Sequence, residues 1–387
     1  MTGTRIGVPS AGSGPYIESR ARLAIGAGVS QERIYLDHAA TTPVIPAARE
    51  AMAEALERWH NPSSPHAEGR AAKAALEDAR ARVAAALGWT GDIFFTSGAT
   101  EAASLAFRRC RLEGPKPMLS TVEHDAVLRQ APETERINIG VTSAGIADPE
   151  QLGKWLRIAP GGLIAIQHCN NETGVLQPLE QIVEAVDAAG SFLLADCAQT
   201  AGKLPLPPAD LIMLSAHKFG GPPGVGALLV RDNKLLVPQG GQEKGYRPGT
   251  QNLPGILGMA AALEAADSCL DRAAALRARL EERLTEAGAE IVGADSPRIA
   301  TIGAYRMPGV ASNAQLIQFD MAGISVSAGS ACSSGSLKPS HVLAAMGWDE
   351  AAAREVIRVS FGRGTGEAEI DRFAELWIGI AARRRAA

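Results

Sequence analysis

A single lysine follows a buried apolar run and precedes a stretch rich in glycine and proline. Residues 210–214 read Asp-Leu-Ile-Met-Leu and predict a buried strand, which ends before Lys218 and Gly220. Lysine is costly to bury, so Lys218 either extends to solvent or serves as an amine. The useful chemistry of a held amine is a Schiff base with an aldehyde such as pyridoxal phosphate, and glycines would let the backbone approach a bulky ring. An ordinary surface lysine at the start of a loop is the alternative.

Other predicted strands also end in polar or ionisable residues. Strands are predicted over residues 92–96, 118–122, 163–167 and 192–195 and alternate with helices, which indicates a parallel sheet covered on both faces. Ligands of such sheets bind beyond the carboxyl ends of the strands. One such residue is ordinarily a cap, a turn residue or a loop histidine, but several at one edge indicate a site. They are Thr100, His124, Asn171, Asp196, Gln199, His217 and Lys218.

The turn at residues 97–101 separates a predicted strand from a helix that begins near Ala102. The first amides of a helix have no intrahelical partner and carry partial positive charge, so this arrangement can present them to an anion. The alternative is that Thr100 merely caps the helix.

The five cysteines show no pairing pattern. Their number is odd and no two have CxxC spacing, so the sequence predicts neither a disulfide framework nor a zinc site. They are Cys110, Cys169, Cys197, Cys269 and Cys332. Only Cys332 lies in a loop-like stretch of small residues, whereas the others are typical of small core side chains.

The composition is typical of a soluble globular protein. The chain has 387 residues, is 46% hydrophobic and carries a net charge of −4, which gives no basic surplus for nucleic acid. Its length favours two domains, predicted as a large one at 34–262 and a small one formed by 1–33 and 263–387. Within the small domain, a short helix is expected at residues 18–25. No apolar run approaches a membrane span and no secretion signal is evident, so we expect a cytoplasmic protein.

Nine short motifs together resemble the NifS-like cysteine desulfurases, pyridoxal-phosphate enzymes of the class V aminotransferase group. The resemblance runs from Tyr35 to about Phe373. It implies the fold-type-I α/β architecture, a mostly parallel sheet flanked by helices with a smaller α+β C-terminal domain. The motifs are LDHAATTP at 36–43, TSGATE at 96–101, EH at 123–124, NNETG at 170–174, DCAQ at 196–199, SAHK at 215–218, RPGT at 247–250, SAGSACSSG at 327–335 and IRVS at 357–360.

The resemblance implies how the cofactor, pyridoxal 5′-phosphate, is held. Lys218 would bind it covalently and move protons on the substrate, and Asp196 would pair with the pyridine nitrogen, as a carboxylate beside a cation should. Gln199 would contact the ring hydroxyl oxygen. His124 would stack on the ring and take part in acid–base steps.

The phosphate would be held by residues of two subunits. The resemblance assigns Thr100, Ser215 and His217 to it from one chain, and Thr250 would reach the phosphate of the neighbouring subunit. It therefore implies a homodimer with shared sites.

The resemblance also implies the substrate chemistry. Arg358 would bind the carboxylate of L-cysteine, assisted by Asn171 from the cofactor side. The Cys332 thiolate would attack the substrate sulfur, leaving L-alanine and a persulfide. That sulfur would pass to an acceptor protein, for iron–sulfur cluster assembly or another sulfur transfer. Cys332 would be the only candidate metal ligand, as a transient ligand of a cluster on a partner.

Three alternatives remain: a selenocysteine lyase, another class V enzyme, and a non-catalytic scaffold for sulfur transfer. The scaffold would be expected to lack Lys218, Asp196 or Cys332, and all three are present. The chain departs from the family pattern at Cys197, where a small residue is usual. It is also expected to end soon after its last helix, without the tail on which housekeeping members of the family dock scaffold proteins.

Overall fold

The computed structural model describes residues 33–58, 60–110, 116–266, 269–329 and 339–386. The helix expected at residues 18–25 and the proposed nucleophile Cys332 lie outside these ranges. The strands are β1 (Ile34–Tyr35), β2 (Asp92–Thr96), β3 (Met118–Ser120), β4 (Ile137–Ile139), β5 (Leu163–Ala165), β6 (Phe192–Asp196), β7 (Leu211–Ser215), β8 (Gly226–Val230), β9 (Glu290–Ile291), β10 (Ile302–Arg306), β11 (Ile324–Ser325) and β12 (Val356–Ser360).

The helices cover both faces of the main sheet and continue into the C-terminal part. They are α1 (Pro46–Glu57), α2 (Ala67–Leu87), α3 (Ala99–Arg109), α4 (Asp125–Leu128), α5 (Pro149–Ile158), α6 (Leu179–Ala188), α7 (Leu253–Glu264), α8 (Leu270–Glu286), α9 (Ser312–Met321), α10 (His341–Ala345), α11 (Glu350–Ala353) and α12 (Glu367–Ala386).

Within the described residues, seven strands form the main sheet in the order β2-β8-β7-β6-β5-β3-β4. The strands from β7 to β4 run parallel, and β8 runs antiparallel to β2 and β7. Thr96 at the end of β2 and Ser215 at the end of β7 both pair with Gly226, the first residue of β8. The carboxyl ends of these strands therefore lie at one edge, as the sequence predicts.

Alternate strand residues pack on opposite faces of the sheet because successive side chains of a strand point to opposite sides. Phe95 and Ile212 belong to the core cluster that contains residues of α1, α2, α5, α6 and α7. Phe94 and Leu211 belong to the cluster that contains residues of α3 and α4. The sheet is buried on both faces, which explains why its strands read as continuous apolar runs.

Two of the predicted strands are shorter than expected. β3 and β5 end at Ser120 and Ala165, two residues before the predicted ends. At the second of these, the Gln167 main-chain N–H donates to Glu123 Oε1 at 2.7 Å, so a side chain replaces a neighbouring strand as its acceptor. After residue 253 the chain forms two helices rather than one, since α7 ends at Glu264 and α8 begins at Leu270.

The C-terminal part has a sheet and a core of its own. β10 pairs antiparallel with β12 and β9, and the Phe319 and Phe373 rings stack with centroids 4.7 Å apart. Leu36, which follows β1, packs in this core, and β1 pairs parallel with β11. The boundary near residue 262 between the two domains stays a prediction.

Candidate active site

The described residues at the carboxyl edge of the main sheet enclose a cavity of about 390 Å³, within the usual size of a small-molecule site. It contains nine of the residues that the sequence proposes for the site. They are Thr100, His124, Asn171, Asp196, Gln199, Ser215, His217, Lys218 and Arg358. Thr250 is not among the lining residues and lies on an exposed loop, so its role at a neighbouring subunit stays a prediction.

The turn after β1 contacts the amine at the end of β7. β7 ends at Ser215, and one turn of 3-10 helix carries Lys218 toward the cavity. Lys218 Nζ donates to the Ala39 and Ala40 carbonyl oxygens at 2.7 and 2.9 Å. Gln199 Nε2 also donates to the Ala39 oxygen, at 3.0 Å. These three contacts tie the reactive amine and a second cavity residue to one backbone segment.

Asp196 is the last residue of β6 and is only 9% exposed. Burial raises the pKa of its carboxyl to about 6, while the positive charge of Lys218 acts in the opposite direction. Its Oδ1 accepts a hydrogen bond from the Ala198 main-chain N–H at 2.8 Å. The carboxyl is therefore ionised at neutral pH and can pair with a protonated ring nitrogen.

The two cavity histidines are neutral at pH 7. Burial, followed by the charge of Lys218, lowers the pKa of both, that of His217 to about 4. His124 Nδ1 accepts from the Ala126 main-chain N–H at 3.1 Å, so the hydrogen of the neutral ring is on Nε2. His217 Nδ1 lies 3.2 Å from Thr41 Oγ1. Each ring can thus donate one hydrogen bond and holds no charge of its own.

The N-terminus of α3 opens into the cavity. Its N-cap residue is Gly98, at φ 151°, and no side chain caps the helix. Thr100 therefore lies in the first turn and is not the cap. Gly98, Ala99 and Thr100 line the cavity, and the uncapped first amides favour an anion there. This end of the cavity suits a phosphate group.

Arg358 extends from β12 into the cavity and is 3% exposed. Its Nη1 donates to the Asn171 carbonyl oxygen at 2.9 Å, and its Nη2 donates to Asp37 Oδ1 at 2.8 Å. Among the described residues, its buried Nε has no hydrogen-bond partner. The guanidinium therefore retains donor capacity for a carboxylate.

The cavity fits pyridoxal phosphate by the chemistry of its residues. The lysine amine suits the aldehyde of the cofactor, and the buried carboxylate suits its ring nitrogen. The uncapped helix N-terminus suits its phosphate. Gln199 Oε1 is buried and has no hydrogen-bond partner in the described part of the chain, which leaves a polar atom for a ligand to satisfy. The described residues contain no group of three or more His, Cys, Asp and Glu side chains arranged to hold a metal ion.

Sequence reasoning assigned no role to three acids, of which Asp37 is partly exposed and Glu123 and Glu243 are buried. Asp37 pairs with Arg358, and Glu123 is 1% exposed and accepts from the main-chain N–H of Gln167, a cavity residue. Burial raises the pKa of Glu123 well above its usual value, and the neighbouring charge of Asp196 adds to the shift. Glu243 forms a buried ion pair with Arg80. The only signal for Asp37 and Glu123 is an acid directly after an apolar run.

A parallel α/β sheet with a lysine, a buried acid and a helix N-terminus at its carboxyl edge defines the class of fold-type-I pyridoxal-phosphate enzymes. Residues 34–373 match the family described as "Aminotransferase class-V". The chain belongs to this family, whose members depend on pyridoxal phosphate. None of the helices in the described ranges is long and apolar enough to cross a membrane.

Three known proteins show how closely the chain follows its relatives. It is 39% identical over 380 residues to a "Cysteine desulfurase" of Cereibacter sphaeroides, covering 92% of this chain and 97% of that protein. The solved structure of a NifS-like protein from Rickettsia africae is 32% identical, with a TM-score of 0.82, covering 90% and 99% of the two chains. A structure described as "SspA in complex with cysteine" is also 32% identical, with a TM-score of 0.73, covering 85% and 98%. The predicted resemblance and fold class are confirmed.

Proposed function

We propose that this chain is a cysteine desulfurase that converts L-cysteine to L-alanine and leaves the sulfur as a persulfide on Cys332. The observation that carries the proposal is one cavity lined by nine of the residues that the sequence proposes for the site. Relatives named cysteine desulfurase, and a solved relative described with cysteine bound, support this choice of substrate.

Different cavity residues bind different parts of the cofactor. Lys218 holds it covalently, Asp196 pairs with its ring nitrogen and Gln199 contacts its ring hydroxyl oxygen. Thr100, Ser215 and His217 hold its phosphate together with the first amides of α3. When bound, pyridoxal phosphate supplies an electron-accepting ring that stabilises negative charge on the substrate.

The substrate is held and processed by the remaining residues. Arg358 binds the carboxylate of L-cysteine through its planar donors, and Asn171, which lines the same cavity, assists it. The Lys218 amine would move protons at the substrate carbons, and His124 would donate from Nε2.

Sulfur transfer is a displacement at the substrate sulfur. The Cys332 thiolate attacks that atom and forms an S–S bond while the C–S bond breaks. The electron pair of the C–S bond stays with the carbon fragment, which takes up protons and leaves as L-alanine. The sulfur remains on Cys332 as the outer atom of a persulfide.

The finer features belong to the same proposal. The enzyme acts as a homodimer in the cytoplasm, and Thr250 of each subunit reaches the phosphate in the site of the other. The persulfide sulfur passes to an acceptor protein for iron–sulfur cluster assembly or another sulfur transfer. The exposed position of Thr250 supports contact with a second chain.

The test is peptide mass spectrometry of the purified protein after L-cysteine is added, with alanine measured in parallel. Cys332 should gain one sulfur atom while alanine appears. Cys332→Ser should retain the cofactor absorbance and lose sulfur transfer, and Lys218→Ala should abolish turnover.

Cys110→Ser is the matched control, because burial raises the pKa of the Cys110 thiol to about 11 and keeps it protonated. This variant should retain persulfide formation on Cys332. Alanine without sulfur on Cys332 would instead favour a lyase, and full activity of Lys218→Ala would contradict the proposal.

A further inference from the structure

Asp37 is the one acidic side chain seen to contact Arg358 among the described residues. The Nη2 of Arg358 donates to Asp37 Oδ1 at 2.8 Å, and the pair spans 321 residues of sequence. On the other side, Nη1 donates to the Asn171 carbonyl oxygen at 2.9 Å. The two contacts hold opposite arms of the guanidinium and so fix its plane.

The backbone that carries Asp37 is itself held by the neighbouring strand. Asp37 forms a parallel bridge with Ser360, whose main-chain N–H donates to the Leu36 oxygen at 2.8 Å. The Tyr35 hydroxyl donates to the main-chain carbonyl oxygen of Asp37 at 3.1 Å. Since Ser360 lies two residues beyond Arg358 on β12, both members of the pair are anchored to one strand.

The unused donors of Arg358 show what this arrangement leaves for a ligand. A guanidinium has five N–H groups, and these contacts use two of them. The buried Nε has no hydrogen-bond partner in the described part of the chain. Bidentate binding of a carboxylate uses two neighbouring N–H groups of the guanidinium, and Nε–H can serve as one of them. Asp37 also compensates a charge that would be costly to bury alone.

We infer that Asp37 is a positioning residue that orients Arg358 for the α-carboxylate of the amino acid substrate and thereby sets the affinity of the site for it. The inference rests on the proposed role of Arg358 in substrate binding. Asp37 acts through Arg358 and takes no part in the bond-breaking steps.

Three variants of the holoenzyme test this role. Asp37→Ala removes the acceptor and should raise KM for L-cysteine at least tenfold while kcat changes less than threefold. Asp37→Asn keeps an acceptor oxygen and should remain within threefold of the wild-type KM. Asp371→Ala removes an acid that pairs with Arg279 and Arg283, away from the cavity, and should leave both constants unchanged.

A substrate analogue without a carboxylate separates positioning from general damage. Cysteamine has the thiol and the amine of cysteine but nothing for Arg358 to bind, so its inhibition constant should be the same in wild type and Asp37→Ala. Equal losses for cysteine and cysteamine would overturn the inference, as would a KM within threefold of wild type.

Arg358→Ala distinguishes failure of this inference from failure of the proposed function. If Arg358→Ala leaves KM for cysteine unchanged, the proposed role of Arg358 is wrong. If Arg358→Ala raises KM and Asp37→Ala does not, only the positioning role of Asp37 is wrong. In the Arg358→Ala background, the further Asp37→Ala change should have no additional effect on KM.

Discussion

The buried ion pair between Arg80 and Glu243 gives the sharpest stability prediction. The Glu243 side chain is 0% exposed, and its carboxylate accepts from Arg80 Nη1 at 2.8 Å and Nη2 at 3.1 Å. It also accepts from the Phe95 main-chain N–H at 3.0 Å and from Gln251 Nε2 at 2.9 Å. The pair therefore connects helix α2, strand β2 and the loop that carries Thr250.

Arg80→Ala removes the cation and leaves the carboxylate buried. Breaking a buried pair in this way costs about 3–5 kcal/mol of the free energy of unfolding. Arg82, two residues along α2, is the matched control because its pair with Glu264 is exposed, with side chains 33% and 43% accessible. Loss of an exposed pair costs about 0.2–1 kcal/mol, so Arg82→Ala should be nearly neutral.

The assay is equilibrium unfolding of each holoenzyme in urea, at one protein concentration and with the same excess of cofactor. The double variant Arg80→Ala/Glu243→Gln should recover part of the loss, because a neutral amide is cheaper to bury than a lone carboxylate. Equal losses for Arg80→Ala and Arg82→Ala, or no recovery in the double variant, would refute the reasoning.

Two further predictions concern Asp196 and Gly226. The raised pKa of about 6 means that Asp196 loses its charge as pH falls through 6, so cofactor affinity should weaken between pH 7.5 and 5, measured by cofactor uptake. Asp196→Asn should bind weakly and show a smaller pH dependence. A Cβ at Gly226 would clash with the Leu214 carbonyl oxygen, so Gly226→Ala should lose about 1–3 kcal/mol of the free energy of unfolding in urea. Gly364→Ala meets nothing within 4 Å and should match wild type.

The sequence predicts the sheet edge well because its signal is local. An apolar run followed by a polar residue identifies a strand end, and parallel strands bring such ends together without further information. This is why Asp196, Gln199 and Lys218 could be placed in one site before any coordinate was known. The sequence predicts no bounds for the crossover helices α5 and α6 or for the short strand β4, since none of them carries a site motif.

Burial of charged residues in polar segments could not be predicted. Glu243 lies in a glycine-rich polar segment, and its burial depends on Arg80, 163 residues away. Glu243 and Lys244 also adopt positive φ values of 48° and 56°, although neither is glycine. Such backbone persists only where surrounding contacts determine it, and those contacts come from distant parts of the chain.

The hydrogen bonds that main-chain groups make in the site also could not be predicted from the sequence. The carbonyl oxygens of Ala39 and Ala40 accept from Lys218, and two residues earlier the Asp37 carboxylate accepts from Arg358. A carbonyl group is present at every residue, so no residue type reveals which one will be used. Because one short turn contacts both cations, backbone geometry as well as side-chain rotamers sets the separation between the reactive amine and the carboxylate-binding group.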